Sequence, residues 1–245
     1  MKFTYNGYRD LLCQLREQGY AISDYHDYSC SKKVAILRHD VDNDLKKALR
    51  FAELEAEEGV KSTYFVLVTS DFYNLMSKES EQTLKKIIKY GHEIGLHFDE
   101  VRYGLSEDTW DEAHIAKLII NESKLLEKIC EEKVTTVSMH RPSKKTLNSN
   151  LHIPGMINSY GFEFFEQFKY VSDSRMHWRE DVEEIINSGN FNKIHILTHA
   201  FWYFEEEKDI KSILVDYVQN AKYERYNQLK NDITDLTSVL KKEEL

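Results

Sequence analysis

Short apolar runs alternate with longer amphipathic ones along this chain, and that alternation restricts it to a parallel α/β fold. Val34-Ala35-Ile36-Leu37 is uninterruptedly apolar, as a strand buried on both faces must be. A helical stretch follows from about Asp44 to Glu58. Its stripe is Leu45, Ala48, Leu49, Ala52 and Leu54, and Gly59 closes it. Further strands are expected at 62–67, 93–96, 134–138, 168–172 and 194–197, with helices over 79–90 and 107–129 between them. Strand–helix alternation at this interval means βα units around a parallel sheet. Six or seven units in 245 residues fit a barrel or an incomplete barrel. The chain holds no GxGxxG and no GxxxxGK[ST], so the nucleotide-binding open sheets lose ground. Only Pro142 and Pro154 interrupt the sequence, and no Gly/Ser/Pro-rich linker divides it, so one domain over 1–245 is expected.

A net charge of −9 is a poor match for nucleic acid, which needs a basic footprint. Cys13, Cys30 and Cys130 are odd in number, scattered and without a CxxC, which suits free thiols in a reducing compartment. With no apolar leader and no run near the roughly 18 residues of a membrane span, a cytoplasmic address is expected.

Chemistry in parallel α/β folds gathers at the carboxyl ends of strands. Here those ends read Arg38-His39-Asp40-Val41-Asp42, His97-Phe98-Asp99, His140-Arg141-Pro142, Ser172-Asp173-Ser174 and Thr198-His199-Ala200. Five strand ends carrying carboxylates or imidazoles imply a polar site on one rim. Asp40 and Asp42 would repel each other unless a cation or a shared proton relieves them. Asp44 is better read as the cap of the following helix. The run Asp40-x-Asp42-x-Asp44 is no EF-hand, because Leu45 stands where the glycine belongs and Phe51 where the bidentate Glu belongs. His92 and His97 are five apart, which rejects a HExxH helix and, on a strand, points them to opposite faces. His97 is therefore the candidate ligand, and His92 a structural hydrogen-bonding residue. His140 is a further candidate ligand, and Arg141 a cation able to hold a carboxylate. His199, next to Phe201-Trp202-Tyr203, reads as an acid–base group near a stacking surface.

This ordered set resembles the polysaccharide deacetylases, the NodB-homology group known as carbohydrate esterase family four, over about residues 34–203. The resemblance implies a distorted (β/α) barrel of about seven parallel strands. It also implies a divalent metal, usually zinc, held by one Asp and two His. Matched motif by motif, Asp40 would be the catalytic base and Asp42 a metal ligand. His97 would be the first metal histidine. The second is absent, because Val101 stands four residues on; His140 is taken as its replacement, with Asp99 in reserve. Arg141 would steady Asp40, Asp173 would brace Arg141 with Trp178 nearby, and His199 would be the general acid. The implied activity is removal of an N-acetyl or other acyl group from an amino sugar or glycan precursor. The alternatives are a hydrolase of another C–N or ester bond, and a non-catalytic carbohydrate-binding protein on a decayed scaffold. The tail from about 205 to 243 is expected to be helical. Its stripe of Leu229, Ile233, Leu236 and Leu240 could pack on the barrel or against a second copy in a homodimer.

Overall fold

A computed structural model describes residues 1–105 and 108–245. Every strand pairing in it is parallel. In sheet order the strands are β6 (Ile157–Asn158), β5 (Thr136–His140), β4 (Glu93–Asp99), β3 (Thr63–Leu67), β2 (Val34–Val41), β8 (Lys193–Thr198) and β7 (Lys169–Ser172). The short β1 (Ala21–Ser23) pairs with the first half of β2, and β3 pairs with its second half. The sheet curls into a distorted β/α barrel of the expected kind, seven strands along its path. Among the described residues no ladder joins β6 to β7. Across that gap lies a stack of three rings: Tyr160 on Phe165 at 4.8 Å and Phe165 on Tyr170 at 4.6 Å.

Strand alternation sorts the side chains into two layers. On β2, Ala35, Leu37 and Val41 join the large outer core, with Leu54, Phe51 and Ala48 of α2 (Leu45–Glu57) packed over them. Val34 and Ile36 face inward with Phe65, Tyr25, Phe164 and Phe168. Gly95 on β4 is required by this inner packing: a Cβ there would lie 2.5 Å from the Phe65 ring. Capping matches the sequence reading. Asp44 accepts from the amides of Lys46 and Lys47 to start α2, and Gly59 follows its end at φ +65°.

Behind β2 a fully buried carboxylate, Glu55, ties α1 (Tyr5–Glu17), α2 and the sheet together. It accepts from Tyr8 Oη at 2.6 Å, Ser62 Oγ at 2.5 Å and Tyr64 Oη at 2.7 Å, and lies 3.0 Å from His39 Nε2. His92 also sits here, with Nε2 2.9 Å from the Ala52 carbonyl, in the structural role its strand position implies.

Strands β2 and β4 run further than the apolar runs at 34–37 and 93–96, because inward polar residues continue the extended backbone to Val41 and Asp99. Helix α3 spans Lys78–Lys89 and α4 spans Glu112–Cys130. The expected start of the latter at 107 lies outside the described residues. Short helices α5 (Lys144–Asn148), α6 (Phe162–Glu166) and α7 (Val182–Asn187) complete the barrel.

The chain divides into two compact units, Met1–Tyr203 and Phe204–Leu245. The second holds α8 (Ile210–Asp232) and the short α9 (Leu236–Val239). The continuous helix expected over about 205–243 is broken because Ile233 turns extended and Asp235 adopts φ +57°. Leu229 and Ile233 are thereby exposed while Leu236 is buried, so the expected stripe does not lie along one helix. No helix of the described residues is long and apolar enough to cross a membrane.

Candidate metal and acid–base site

Parity on β2 builds the site. Val34, Ile36, Arg38 and Asp40 alternate toward the barrel interior, and Asp42 follows just past the strand end. On β4 the same parity brings His97 inward. The pairing of β4 with β5 sets His97 beside Ser138 and Asp99 beside His140. On β8 it carries His195 and Leu197 inward, with His199 next.

Asp42, His97 and His140 converge. Asp42 Oδ1 lies 3.2 Å from His97 Nε2 and 3.3 Å from His140 Nδ1, and the two ring nitrogens are 3.2 Å apart. This near-equilateral triangle matches a tetrahedral edge, about 3.3 Å for ligand bonds of about 2.0 Å. Asp42 Oδ1 is buried yet accepts no well-formed hydrogen bond. One carboxylate and two imidazoles facing one point, with an unsatisfied anionic oxygen among them, fit a divalent ion such as zinc. Burial pushes the Asp42 carboxyl up, but His140 and His97 outweigh it and hold the group well below the usual range.

Asp99 is committed elsewhere. Its Oδ1 accepts from the Val101 amide, and its Oδ2 from Arg141 at 2.5 Å. Val101 sits on the turn after β4, 55% exposed.

Asp40 lies beside the triangle, with Oδ2 3.6 Å from His97 Nε2. Its cationic partner is not Arg141. Arg141 has a side chain 61% exposed, a backbone φ of +51° that turns it out of β5, and a pairing to Asp99. The partner is Arg38, fully buried, whose Nη2 donates to Asp40 Oδ2 at 2.8 Å. Ser138 Oγ is 3.4 Å from Asp40 Oδ1. Burial raises the Asp40 carboxyl, but Arg38, then His97 and His199, bring it below its ordinary value. Sequence reasoning missed Arg38, although it lies two residues before Asp40 on the same strand face.

Asp173 does not brace Arg141. It is buried and holds His199, with Oδ1 2.6 Å from Nδ1 and Oδ2 accepting the His199 amide at 3.0 Å. His199 Nε2 is thereby aimed into the site, 3.8 Å from Asp42 Oδ2. Burial pulls the His199 imidazole down, but Asp173, Asp42 and Asp40 prevail and push it up to about 9. Trp178 and Trp202 are half-buried against the outer core, and Trp202 packs on Phe201 at 4.8 Å. His195 lies deeper in the barrel, 2.7 Å from Tyr25 Oη among aromatic rings.

No family model matches the sequence, and no curated protein matches it. Solved structures do. A polysaccharide deacetylase from Bacillus cereus shares 14% identity at TM-score 0.46, covering 78% of this chain and 88% of its own. A family 4 carbohydrate esterase from Streptomyces lividans, in complex with acetate, shares 12% at TM-score 0.45, covering 78% and 89%. A family 4 pseudoenzyme from Bacillus anthracis shares 16% at TM-score 0.44, covering 79% of this chain and 62% of that one. The chain resembles family 4 carbohydrate esterases. It spans under two thirds of the pseudoenzyme's length, both in the wild type and in a mutant with restored activity. A pseudoenzyme and a mutant of it with restored enzymatic activity both stand among these neighbours.

Proposed function

We propose that the chain is a metal-dependent hydrolase that removes an N-acetyl or related acyl group from an amino sugar or glycan precursor. The observation that carries this is the triangle of Asp42, His97 and His140 with Asp40 on one flank and His199 on the other. Zinc or a similar ion, held by those three residues, would polarise the acyl carbonyl and acidify water. Asp40, kept ionised by Arg38, accepts the proton that water loses as its oxygen adds to the carbonyl carbon. His199, protonated and aimed by Asp173, gives a proton to the departing nitrogen as the C–N bond breaks. The products are a carboxylate and a free amine. Arg141 has no part in these steps; from the rim it pairs with Asp99. Three free cysteines suit a reducing, cytoplasmic address, which favours a glycan precursor as substrate over finished wall polymer.

The test is metal analysis of purified protein beside release of acetate from N-acetylated amino-sugar oligomers, with an ester and a formamide in the same panel. His97→Ala should lose the ion and the activity together. His199→Ala should keep the ion and lose about 10²-fold or more in kcat on amides. If His97→Ala and His199→Ala both retain full metal and full rate, the assignment fails. A protein that binds glycan, carries no ion and turns nothing over would be the decayed scaffold that Val101 suggests.

A further inference from the structure

We infer that Arg38, clamped by Ser138 and Ser159, is the residue that positions Asp40 for proton transfer, a task performed from inside the base's own strand rather than from the loop after β5. The inference rests on the hydrolase reading for its chemistry, but its geometry is independent of that reading. Arg38 is 0% exposed, and a buried guanidinium is costly where its donors go unused; the Nη groups are engaged, while Nε has no hydrogen-bond partner among the described residues. Its Nη1 donates to Ser159 Oγ at 2.8 Å, and its Nη2 donates to Asp40 Oδ2 and Ser138 Oγ, each at 2.8 Å. Its Cζ lies over the Tyr160 ring at 4.9 Å and over the Phe65 ring at 5.4 Å from their centroids. Two serines from neighbouring strands, Ser138 on β5 and Ser159 just after β6, and two rings hold this side chain in place.

That orientation fixes which oxygen of Asp40 is free. Oδ2 takes the Arg38 donor and lies 3.6 Å from His97 Nε2, while Oδ1 accepts, among the described residues, just the longer hydrogen bond from the Ser138 hydroxyl, at 3.4 Å. A planar fork can hold a carboxylate in plane, whereas an ammonium acts as a point charge and cannot. Arg141 cannot share the task, because Asp99 engages it on the rim.

The test uses the full chain loaded with zinc and two acyl donors. One is 4-nitrophenyl acetate, whose phenolate leaves without a proton. The other is N,N′-diacetylchitobiose, whose nitrogen must be protonated. Arg38→Met should lower kcat on both by about 10²-fold with KM and zinc content retained. Ser159→Ala should lower kcat by a smaller factor, and Arg38→Lys should recover part of the Arg38→Met loss. Arg141→Gln should lose at least an order of magnitude less than Arg38→Met. In a crystal structure of Arg38→Met the Asp40 carboxylate should leave its present rotamer. An Arg38→Met protein with parental kcat and an unmoved Asp40 overturns the inference, even where Asp40→Asn is inactive and the hydrolase reading stands. Where Arg38→Met does not fold, Arg38→Lys and Ser159→Ala decide, and parental kcat with Asp40 unmoved in both overturns it. Asp40→Asn with parental activity sinks the hydrolase reading instead. With no turnover by the parent on either donor, the Asp40 rotamer alone decides for or against Arg38.

Discussion

At Asp40 two opposing effects meet. Burial favours the neutral acid, and Arg38 at 2.8 Å favours the anion; the anion wins. Such a pair contributes little net stability, since desolvation offsets most of the attraction. Removing one partner is another matter, because the survivor keeps its buried charge. Arg38→Met should therefore cost about 3–5 kcal/mol in chemical denaturation. Arg38→Met combined with Asp40→Asn should cost clearly less than the sum of the two single changes, a coupling that a double-mutant cycle reads directly. Additive costs would mean that the two side chains do not depend on each other. Much of this neighbourhood was legible from residues 38 to 42, where carboxylates at the end of an apolar run announce a site. Arg38 escaped notice because a charged residue next to an apolar run looks like the end of a strand. Counting by twos from Val34 would have put it inside. The role of Arg141 was misplaced for a different reason: only its φ of +51°, invisible in sequence, turns it away from Asp40.

Among elements, the apolar docking of α2 on β2 is reinforced by one buried carboxylate. Glu55 is raised by burial but brought down to about 2 by His39, His92 and Ser62, from 4.5. A group with a depressed folded value stabilises above its unfolded value and loses that contribution as pH falls. For Glu55 the loss should run between about pH 4.5 and pH 2, and a drop of that size corresponds to roughly 3 kcal/mol. Glu55→Gln should lower stability at pH 7 by an amount of that order. It should also flatten the acid limb in melts taken from pH 7 down to pH 2; an unchanged acid limb would refute the assignment. The sequence announced α2 through its stripe and its Asp44 cap, but it could not announce this docking. Tyr8, His39 and the Ser62/Tyr64 pair come from three separate segments, and nothing local relates those segments. Strands β1 and β6 were hidden for a simpler reason: two or three residues carry no period.

For the molecule as a whole, the three-atom triangle sits where β2, β4 and β5 come together, so an ion there links three strands. A ligand that binds only the folded state adds RT ln(1 + [L]/Kd), about 2.7 kcal/mol at 100 times Kd. In a chain of this size that corresponds to a rise in Tm of roughly 5–10 °C. Zinc should raise the Tm of the parent by about that much, a chelator should reverse the rise, and His97→Ala should abolish it. His199→Ala should keep it. Equal shifts in parent and His97→Ala would mean the ion sits elsewhere. The barrel class was readable in the alternation of runs, whereas the division at Tyr203 was not, because no change in composition marks it.

Arg38 and Asp40 stand two residues apart on one strand, and Asp42 continues the same spacing just past its end. Substitutions can wear this machinery down one group at a time, but a single inserted or deleted residue upstream in β2 would swing clamp, base and ligand to the helix-covered side in one event. A lineage could thus lose all three functions through one three-nucleotide change and keep its architecture. Deleting the same codon from this chain would reproduce that route to a silent relative.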